Sequence, residues 1–430
     1  MKTTVHPAKR PLRGHLVVPG DKSISHRALL FGALADGEST VSGALRSGDC
    51  RSTLACLRAL GVRVDETDAG DLMVHGVGLR GLSAPSGPVD CGRSGTTMRL
   101  LAGILAGQSF PTKMTGDEQL LRRPMRRIVD PLRAMGADIE AVDGRAPLRI
   151  RPAALRGVEH TLDVASAQVK SAALLAGLYA DGPTVVRQCG PARDHTERLL
   201  AAIGATVRTD ALVVTIEPPA SLYPFALRVP GDISSAAFPL VAALLVPGSE
   251  IILREVGLNP TRTGLLDVLR RMDARIDIEN RRLEGGEPVG DLTVRASRLT
   301  ATTIGGECIV RMIDELPILA VAAAFAHGTT LVHDARELRV KETDRIETIV
   351  SELTALGARI ESQPDGFVIH GPTPLSGGAV DSHRDHRLAM ALTVAGFAAD
   401  GDVELRRAEY AADSYPGFFD DLRSLEVGDD

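Results

Sequence analysis

The sequence contains no tryptophan, four tyrosines and nine phenylalanines, so aromatic residues make up only 3% of its 430 residues. Proteins that bind single-stranded nucleic acids stack the bases on aromatic side chains, and most nucleic-acid-binding domains carry an excess of basic charge. This chain has the opposite balance, with a formal net charge of −6. The composition therefore argues against nucleic acids and anionic membrane surfaces as partners.

The sequence also lacks the cysteine spacing of a metal site or a disulfide framework. Its five cysteines are scattered, with no C-x-x-C pair, and His383 and His386 have no further ligands at metal spacing. Such a distribution is typical of reduced thiols in a cytoplasmic protein. We therefore predict a cytoplasmic location and no bound metal.

Long apolar runs are absent as well. No run is long enough to cross a bilayer, and the N-terminal segment has no apolar stretch typical of a secretory signal. We therefore expect no membrane association. At 430 residues, the chain is too long to fold around a single hydrophobic core of ordinary size, which predicts two domains.

Lysine is rare in this chain: six of its 49 basic residues are lysine, and arginine supplies the rest. A lysine that is kept inside a tight polar motif therefore indicates a role that arginine cannot fill, such as proton transfer or a compact point-charge contact. Lys22, Lys170 and Lys341 lie in motifs of this kind.

A unit of amphipathic helix, small turn and short strand recurs along the chain. It is written LRALGVRV, LRAMGADI, LAAIGATV, LRRMDARI and LTALGARI, and a sixth helix, FFDDLRSLEV, lies near the C-terminal end. In four copies a glycine follows the last helical apolar residue, where a left-handed conformation is expected. Six further helices are apolar on all sides and are predicted to be buried. These patterns predict six α/β repeats, three in each half of the chain.

The phrase Val-Pro-Gly-Asp occurs twice, beginning at Val18 and at Val229. We interpret the two copies as crossovers between domains. One domain would comprise residues 1–20 and 231–430, and the other residues 21–230. Hinges are predicted near 19–21 and 230–232, because Pro-Gly can absorb a change in backbone direction.

Dense polar motifs precede several of the buried helices. They are GDKSISHR, CGRSGTTMR, LLRRPMRR, SAQVKS, RDHTER, MIDELP, RVKETDR and SHRDHRLAM. Helix N-termini favour phosphates and carboxylates, and the arginines of these motifs indicate more than one anionic group. The pattern predicts a positively charged cleft for small anions between the domains. The acidic residues Asp314, Glu315 and Glu342 within the motifs indicate chemistry beyond binding.

With these motifs in order, the chain resembles the 5-enolpyruvylshikimate-3-phosphate synthase (EPSP synthase) family of enolpyruvyl transferases over nearly its whole length. The resemblance is also carried by VPGDISSAAF, NPTRTG and SYPGFF. It implies a fold of two inverse α/β domains, each made of three βαβαββ units with buried parallel helices. It further implies a monomeric enzyme of aromatic amino-acid biosynthesis that needs no cofactor and is a target of glyphosate.

The implied reaction transfers the enolpyruvyl group of phosphoenolpyruvate to the 5-hydroxyl of shikimate 3-phosphate and releases phosphate. The resemblance assigns catalysis to Lys22, Asp314 and Glu342. It assigns shikimate 3-phosphate binding to Lys22, Ser23, Arg27, Ser166, Ala167, Gln168, Arg193, Asp314 and Lys341. It assigns phosphoenolpyruvate binding to Lys22, Gly95, Arg123, Gln168, Arg345, His386 and Arg387.

Three positions depart from patterns found in relatives. Arg93 stands where many relatives have asparagine, so it either adds an anion contact or points into solvent. Asp413 stands where some relatives place a lysine, and we assign no phosphate contact there. Several motifs are typical of the glyphosate-tolerant subgroup, whereas Gly95 leaves room where tolerant members carry alanine, so glyphosate sensitivity stays open.

Three other functions fit these residues less well. An enolpyruvyl transferase acting on UDP-N-acetylglucosamine usually carries a reactive cysteine on a mobile loop, and the comparable GDEQLLRRPM has none. An RNA 3′-phosphate cyclase is disfavoured by the acidic balance and the scarcity of aromatic residues. A binding scaffold without catalysis would not need Asp314 and Glu342 among basic motifs.

Overall fold

The computed structural model describes residues 2–68 and 70–427. The chain divides into two compact units. The terminal unit contains the segment up to Pro19 together with Pro230–Arg282 and the chain from Pro288 onward. The central unit contains Gly20–Val229 and Leu283–Glu287. Each unit has its own cluster of buried apolar side chains, as expected for a chain too long for one core.

The boundaries from the sequence analysis assign residues 283–287 to the domain with residues 231–430, whereas in the structure they pack with the central unit. They form the tip of a hairpin, and two glycines let that tip approach the unit closely. A Cβ at Gly285 would lie 2.5 Å from Cδ1 of Leu227. Arg198 donates to the carbonyl oxygen of Gly286 at 3.2 Å. A hairpin tip has no alternation pattern that would reveal this packing.

The helices of the described residues are as follows. They are α1 Lys22–Leu34, α2 Gly48–Ala59, α3 Gly95–Leu105, α4 Glu118–Leu121, α5 Arg126–Ala134, α6 Ala167–Gly177, α7 His195–Ala202, α8 Ile233–Leu245, α9 Gly264–Arg271, α10 Glu307–Met312, α11 Leu316–Phe325, α12 Arg345–Ala355, α13 His386–Ala398 and α14 Phe418–Val427. Two 3₁₀ helices cover Arg336–Val340 and Ala408–Asp413.

The strands of the same residues are β1 Lys2–Val5, β2 Arg13–Leu16, β3 Glu38–Ser42, β4 Arg63–Glu66, β5 Leu72–His75, β6 Val89–Asp90, β7 Thr112–Thr115, β8 Asp138–Val142, β9 Arg145–Arg151, β10 Glu159–Thr161, β11 Thr184–Arg187, β12 Val207–Asp210, β13 Val213–Ile216, β14 Ala226–Arg228, β15 Glu250–Gly257, β16 Arg275–Glu284, β17 Glu287–Arg295, β18 Thr303–Ile304, β19 Gly328–Val332, β20 Ile360–Gln363, β21 Gly366–Gly371, β22 Gly378–Asp381 and β23 Val403–Arg406.

These strands form six small sheets within the described residues, three per unit, as the repeat count predicts. The central unit holds β14-β3-β5-β4, β6-β7-β9-β8 and β10-β11-β13-β12, and the terminal unit holds β16-β17-β15-β2, β18-β19-β21-β20 and β1-β23-β22. In the sheet of β6 to β9, the first strand is parallel to the second, and the remaining pairs are antiparallel. The sheets of β10 to β13 and β18 to β21 repeat this arrangement.

Each Val-Pro-Gly-Asp copy is preceded by a strand that pairs with the strand following the other copy. Strand β2 precedes the first copy and pairs in parallel with β15, which follows the second copy. Strand β14 precedes the second copy and pairs in parallel with β3, which follows the first copy. Each copy therefore lies where the chain passes from a sheet of one unit to a helix of the other.

The six helices predicted to be buried are α1, α3, α6, α8, α11 and α13, and nearly all of their residues are buried. The glycines after the amphipathic helices also behave as predicted, with φ values of +87° at Gly61, +94° at Gly136, +100° at Gly204 and +95° at Gly357. In the remaining copy Asp273 takes the same conformation at φ +66°. Within residues 2–68 and 70–427 none of the helices is both long and apolar enough to span a bilayer.

Candidate active site

In the central unit, the predicted binding residues gather at the N-terminal ends of the buried helices. Asp21, Ser94 and Ser166 cap α1, α3 and α6 by accepting hydrogen bonds from backbone N–H groups. The caps begin each helix at the polar motif because a short polar side chain there replaces a missing intrahelical acceptor. The predicted residues near these ends are Lys22, Ser23, Arg27, Gly95, Ser166, Ala167 and Gln168. Such ends favour anions.

Lys22 is the first residue of α1, and its side chain is 25% exposed. Its Nζ lies 3.4 Å from Oδ2 of Asp49 in α2. The sequence analysis did not single out Asp49, which lies outside the motifs. The lysine is thus partly exposed and ion-paired with a carboxylate of the neighbouring helix.

Arg27 is buried, and three of its nitrogen atoms donate hydrogen bonds within the central unit. Nε donates to Thr196 Oγ1 at 2.7 Å, Nη1 to the carbonyl oxygen of Ser23 at 2.8 Å, and Nη2 to Ser171 Oγ at 2.9 Å. Burial lowers the pKa of Arg27 to about 10, although Glu197 opposes the shift. The guanidinium is therefore charged at neutral pH and fixes the starts of α1, α6 and α7 together.

Gln168 connects α6 to the predicted phosphoenolpyruvate motif at α3. Its Nε2 donates to Thr96 Oγ1 at 2.9 Å, and its Oε1 accepts a hydrogen bond from Arg99. Arg99 is not among the predicted site residues, although its motif is. The arrangement holds two arginines beside Gly95, because a Cβ at that position would lie 3.0 Å from Nη1 of Arg123 and 3.5 Å from Nη1 of Arg99.

The sequence resemblance assigns Gly95 and Arg123 to phosphoenolpyruvate binding, and this assignment predicts that Gly95→Ala raises the KM for phosphoenolpyruvate by about tenfold. The new Cβ would displace the Arg123 guanidinium by a few tenths of an ångström. The KM for shikimate 3-phosphate should change little. Steady-state kinetics with each substrate varied in turn would measure both constants. Gly182→Ala is the matched control, since nothing lies within 4 Å of a Cβ there. Equal changes in both constants would contradict the expectation.

A buried hydrogen-bond chain joins α1, α2 and α3. Nδ1 of His26 lies 2.7 Å from Oγ1 of Thr53, which lies 2.7 Å from Oγ1 of Thr97, and Thr97 donates to Ser94 Oγ. Burial lowers the pKa of His26 to about 4, and the nearby Lys22 and Arg27 also lower it, while Asp49 opposes the shift. The imidazole is therefore neutral near pH 7.

This lowered pKa makes stability depend on pH. In the unfolded chain His26 titrates near pH 6.5, whereas in the folded protein it resists protonation down to about pH 4. Stability is therefore lost as the pH falls through this window, by about 2 kcal/mol between pH 7 and pH 5. Denaturant unfolding at both pH values should show that loss in the wild type and a smaller one in His26→Asn. The exposed-site variant His15→Asn is the control, and an unchanged loss in His26→Asn would refute the assignment.

In the terminal unit, Arg345 brings together the two carboxylates predicted to be catalytic. It is the first residue of α12 and is buried. Its Nη1 donates to Oδ1 of Asp314 at 3.4 Å and its Nη2 to Oε2 of Glu342 at 2.7 Å. Its Nε donates to Oδ2 of Asp385 at 2.7 Å. Lys341 adds a cation, with Nζ 3.8 Å from Oδ1 of Asp314.

The electrostatics of this cluster keep Glu342 and Asp385 ionised. Burial alone would raise the pKa of Glu342, but the charges of Arg345 and His386 outweigh it and hold that pKa well below its ordinary value. The same two charges hold the pKa of Asp385 low against its burial. Burial opposes the charge on Arg345, yet Asp385 and Glu342 raise its pKa further. A proton that reaches Glu342 is therefore readily given up.

His386 and Arg387 begin α13, where Asp385 caps the helix by accepting from the N–H groups of Arg387 and Leu388. Both side chains are buried, and Arg387 is only 4% exposed. Among the described residues, Nε and Nη1 of Arg387 have no hydrogen-bond partner. A buried guanidinium in this situation favours an anionic ligand, because burying an uncompensated charge is costly.

The described residues offer one cluster with metal-ligating atoms close together, formed by Asp194, His195 and Glu287. Its members already have cationic or ring partners, because Arg198 donates to Asp194 at 2.8 Å and Nδ1 of His195 lies 2.7 Å from Glu287. His383 and His386 are not members of this cluster. Nε2 of His383 lies 2.8 Å from Oε1 of Glu352.

Arg93 ion-pairs with Asp117 at 3.1 Å, and its side chain is 59% exposed. The sequence left open whether this residue points into solvent or contacts an anion, and this partner accounts for its charge. Asp413, the other departure, is exposed at the end of the second 3₁₀ helix.

Paired carboxylates held by arginine and lysine, together with arginines at the starts of buried helices, define an enzyme that acts on small anionic molecules. The six small sheets of the described residues, three in each unit, agree with the fold that the sequence resemblance implies. The model of the EPSP synthase (3-phosphoshikimate 1-carboxyvinyltransferase) family matches residues 7–422. The chain belongs to this family.

Curated relatives and solved structures agree with the family match. A 3-phosphoshikimate 1-carboxyvinyltransferase of Geobacillus kaustophilus is 54% identical over 418 residues, covering 96% of this chain and 98% of the relative. One of Herpetosiphon aurantiacus is 54% identical over 424 residues, covering 97% and 98%. The structure of an EPSP synthase from Acinetobacter baumannii is similar with a TM-score of 0.92 and 41% identity, covering 98% of this chain and 97% of that one.

Proposed function

We propose that this chain transfers the enolpyruvyl group of phosphoenolpyruvate to the 5-hydroxyl of shikimate 3-phosphate, giving 5-enolpyruvylshikimate 3-phosphate and phosphate. The observation that carries the proposal for this chain's own residues is the cluster around Arg345, which places the carboxylates of Asp314 and Glu342 beside the Arg345 guanidinium, with Lys341 next to Asp314. An addition–elimination reaction needs a base for the hydroxyl and a group that gives and retakes a proton.

The shikimate 3-phosphate ligands are proposed to come largely from the central unit. Ser23, Ser166, Ala167 and Gln168 offer hydroxyl, backbone or amide groups at helix starts, and Arg27 and Arg193 supply positive charge. Lys341 and Asp314 hold the hydroxyl groups of shikimate in this proposal. Lys22 contacts both substrates.

Phosphoenolpyruvate carries a phosphate and a carboxylate, and planar guanidinium groups bind such groups in bidentate fashion. Its proposed ligands are Lys22, Gly95, Arg123, Gln168, Arg345, His386 and Arg387. The buried Arg387, with two nitrogen atoms lacking protein acceptors among the described residues, supports an anion at this position. Arg345 has a second part in the proposal, because it also orients the catalytic carboxylates.

The chemistry then proceeds in two steps. Asp314 accepts the proton of the 5-hydroxyl, the oxygen bonds to carbon 2 of phosphoenolpyruvate, and carbon 3 receives a proton from Lys22 or Glu342. Because Glu342 is ionised beforehand, it can act as the donor only after it has itself taken up a proton. In the second step carbon 3 loses a proton, the bond between carbon 2 and the phosphate oxygen breaks, and phosphate departs. Arginine and lysine side chains stabilise the negative charge that develops on the leaving group.

A coupled assay of phosphate release tests the proposal. Phosphate should appear only when both shikimate 3-phosphate and phosphoenolpyruvate are present. Replacing the acceptor by UDP-N-acetylglucosamine should abolish release, and the surface variant Lys113→Ala should match the wild type. Release with the sugar nucleotide, or none with shikimate 3-phosphate, would overturn the proposal.

Four expectations about the whole protein stay predictions. They are closure at hinges near 19–21 and 230–232, a monomeric state, a cytoplasmic location and activity without a cofactor. Glyphosate sensitivity also stays open, and an inhibition curve against phosphoenolpyruvate would decide it.

A further inference from the structure

Lys170 is a buried lysine for which the proposed chemistry has no use. It lies in the first turns of α6, and its side chain is only 1% exposed. Its Nζ lies 2.6 Å from Oε1 of Glu197, whose side chain is 5% exposed, and it donates to the carbonyl oxygen of Ala192 at 3.3 Å. Burying both charges is costly, which favours a specific reason for keeping them.

The two partners of Lys170 lie on either side of a predicted substrate ligand. Ala192 directly precedes Arg193, and Glu197 lies in α7, which begins two residues after Arg193. The ammonium therefore connects α6 to both ends of the short segment that carries Arg193. That segment has no strand or helix of its own to hold it.

The neighbours of this ion pair in sequence hold a second ligand. Ser171 follows Lys170, Thr196 precedes Glu197, and both hydroxyls accept hydrogen bonds from the Arg27 guanidinium. The charge of Glu197 also favours the protonated form of Arg27. The carboxylate of Glu197 therefore stabilises the charges of two buried cations, Lys170 and Arg27.

We propose that Lys170 is a positioning residue for the anion of shikimate 3-phosphate, an inference that rests on the proposed function. Lys170 neutralises Glu197, so the carboxylate does not draw the Arg27 guanidinium away from Ser171 and Thr196. It also fixes the carbonyl of Ala192 and with it the direction of Arg193. Because Lys170 makes these contacts through a compact ammonium group, the pattern accounts for a lysine in a chain that otherwise prefers arginine.

The test compares Lys170→Met, the double variant Lys170→Met/Glu197→Gln, and the matched surface control Lys113→Met. Calorimetric titration gives the Kd for shikimate 3-phosphate, kinetics give the KM for phosphoenolpyruvate, and thermal melts report folding. Lys170→Met is expected to weaken shikimate 3-phosphate binding by about ten- to a hundredfold, with less than about a threefold change in the KM for phosphoenolpyruvate.

The double variant separates positioning from plain stability. A neutral pair is tolerated where a lone buried charge is not, so its melting temperature should recover toward the wild type. Its affinity for shikimate 3-phosphate should recover only in part, because the charge that would draw Arg27 away is gone but the ammonium that holds Ala192 is still missing. Full recovery of both properties would overturn the proposal, as would equal losses for the two substrates or an unchanged Kd in Lys170→Met. Absence of phosphate release by the wild type would instead overturn the proposed function.

Discussion

Replacing Asp314 by alanine is expected to lower turnover by about 10²- to 10⁴-fold, the range typical of a lost general base. The same change should weaken shikimate 3-phosphate binding far less. Asp314 is held between Nη1 of Arg345 at 3.4 Å and Nζ of Lys341 at 3.8 Å, and its side chain is 20% exposed. It is therefore ordered before substrate arrives, and its contribution falls mainly in the transition state.

Two comparisons test that interpretation. Asp314→Asn keeps the shape and removes the base, so its turnover should fall as in the alanine variant, while Asp400→Ala, an exposed carboxylate of the same unit, should behave as wild type. Single-turnover kinetics give the rate of the chemical step, and titration gives the Kd for shikimate 3-phosphate. A loss of binding as large as the loss of turnover would contradict a role as base.

Replacing Lys22 by arginine is expected to cut turnover by well over tenfold although the charge is kept. A guanidinium stays protonated at every relevant pH, so it cannot give and retake a proton. The measurement is turnover at saturating concentrations of both substrates.

Lys113→Arg is the control for Lys22→Arg, because Lys113 is exposed on β7 of the same unit. Its kinetics should equal those of the wild type. Near-normal turnover in Lys22→Arg would refute the proton-transfer role and leave Lys22 as an ordinary charge. A pH profile of turnover helps the comparison, since a proton-transfer lysine contributes a titration that its arginine replacement lacks.

Much of the fold could be predicted from local patterns. Helices such as α8 and α11 are apolar on every side, which leaves burial as their only stable environment. Gly61 and Gly136 adopt positive φ values at the helix ends where the sequence places them. These features depend on neighbours within about one helical turn, and a single sequence records them directly.

The sequence proposes a list of site residues, but it does not show how their side chains pair with one another. Arg345 was predicted as a substrate ligand, yet in the structure it also holds Asp314, Glu342 and Asp385. Asp385 lies in the SHRDHRLAM motif without a predicted role, and Asp49 lies outside the motifs. Their partners lie 40 and 27 positions away, and no periodicity connects such distances.

The sequence alone determined the repeat count, the buried helices, the two crossover phrases and the motif order that indicates the family. Each of these is written in short stretches whose spacing follows from helix and strand geometry. The tertiary structure alone decided which charges neutralise each other, as in Lys170 with Glu197 and Arg345 with Asp385. Such pairs form where helices from distant parts of the chain begin side by side, and burial makes their matching obligatory.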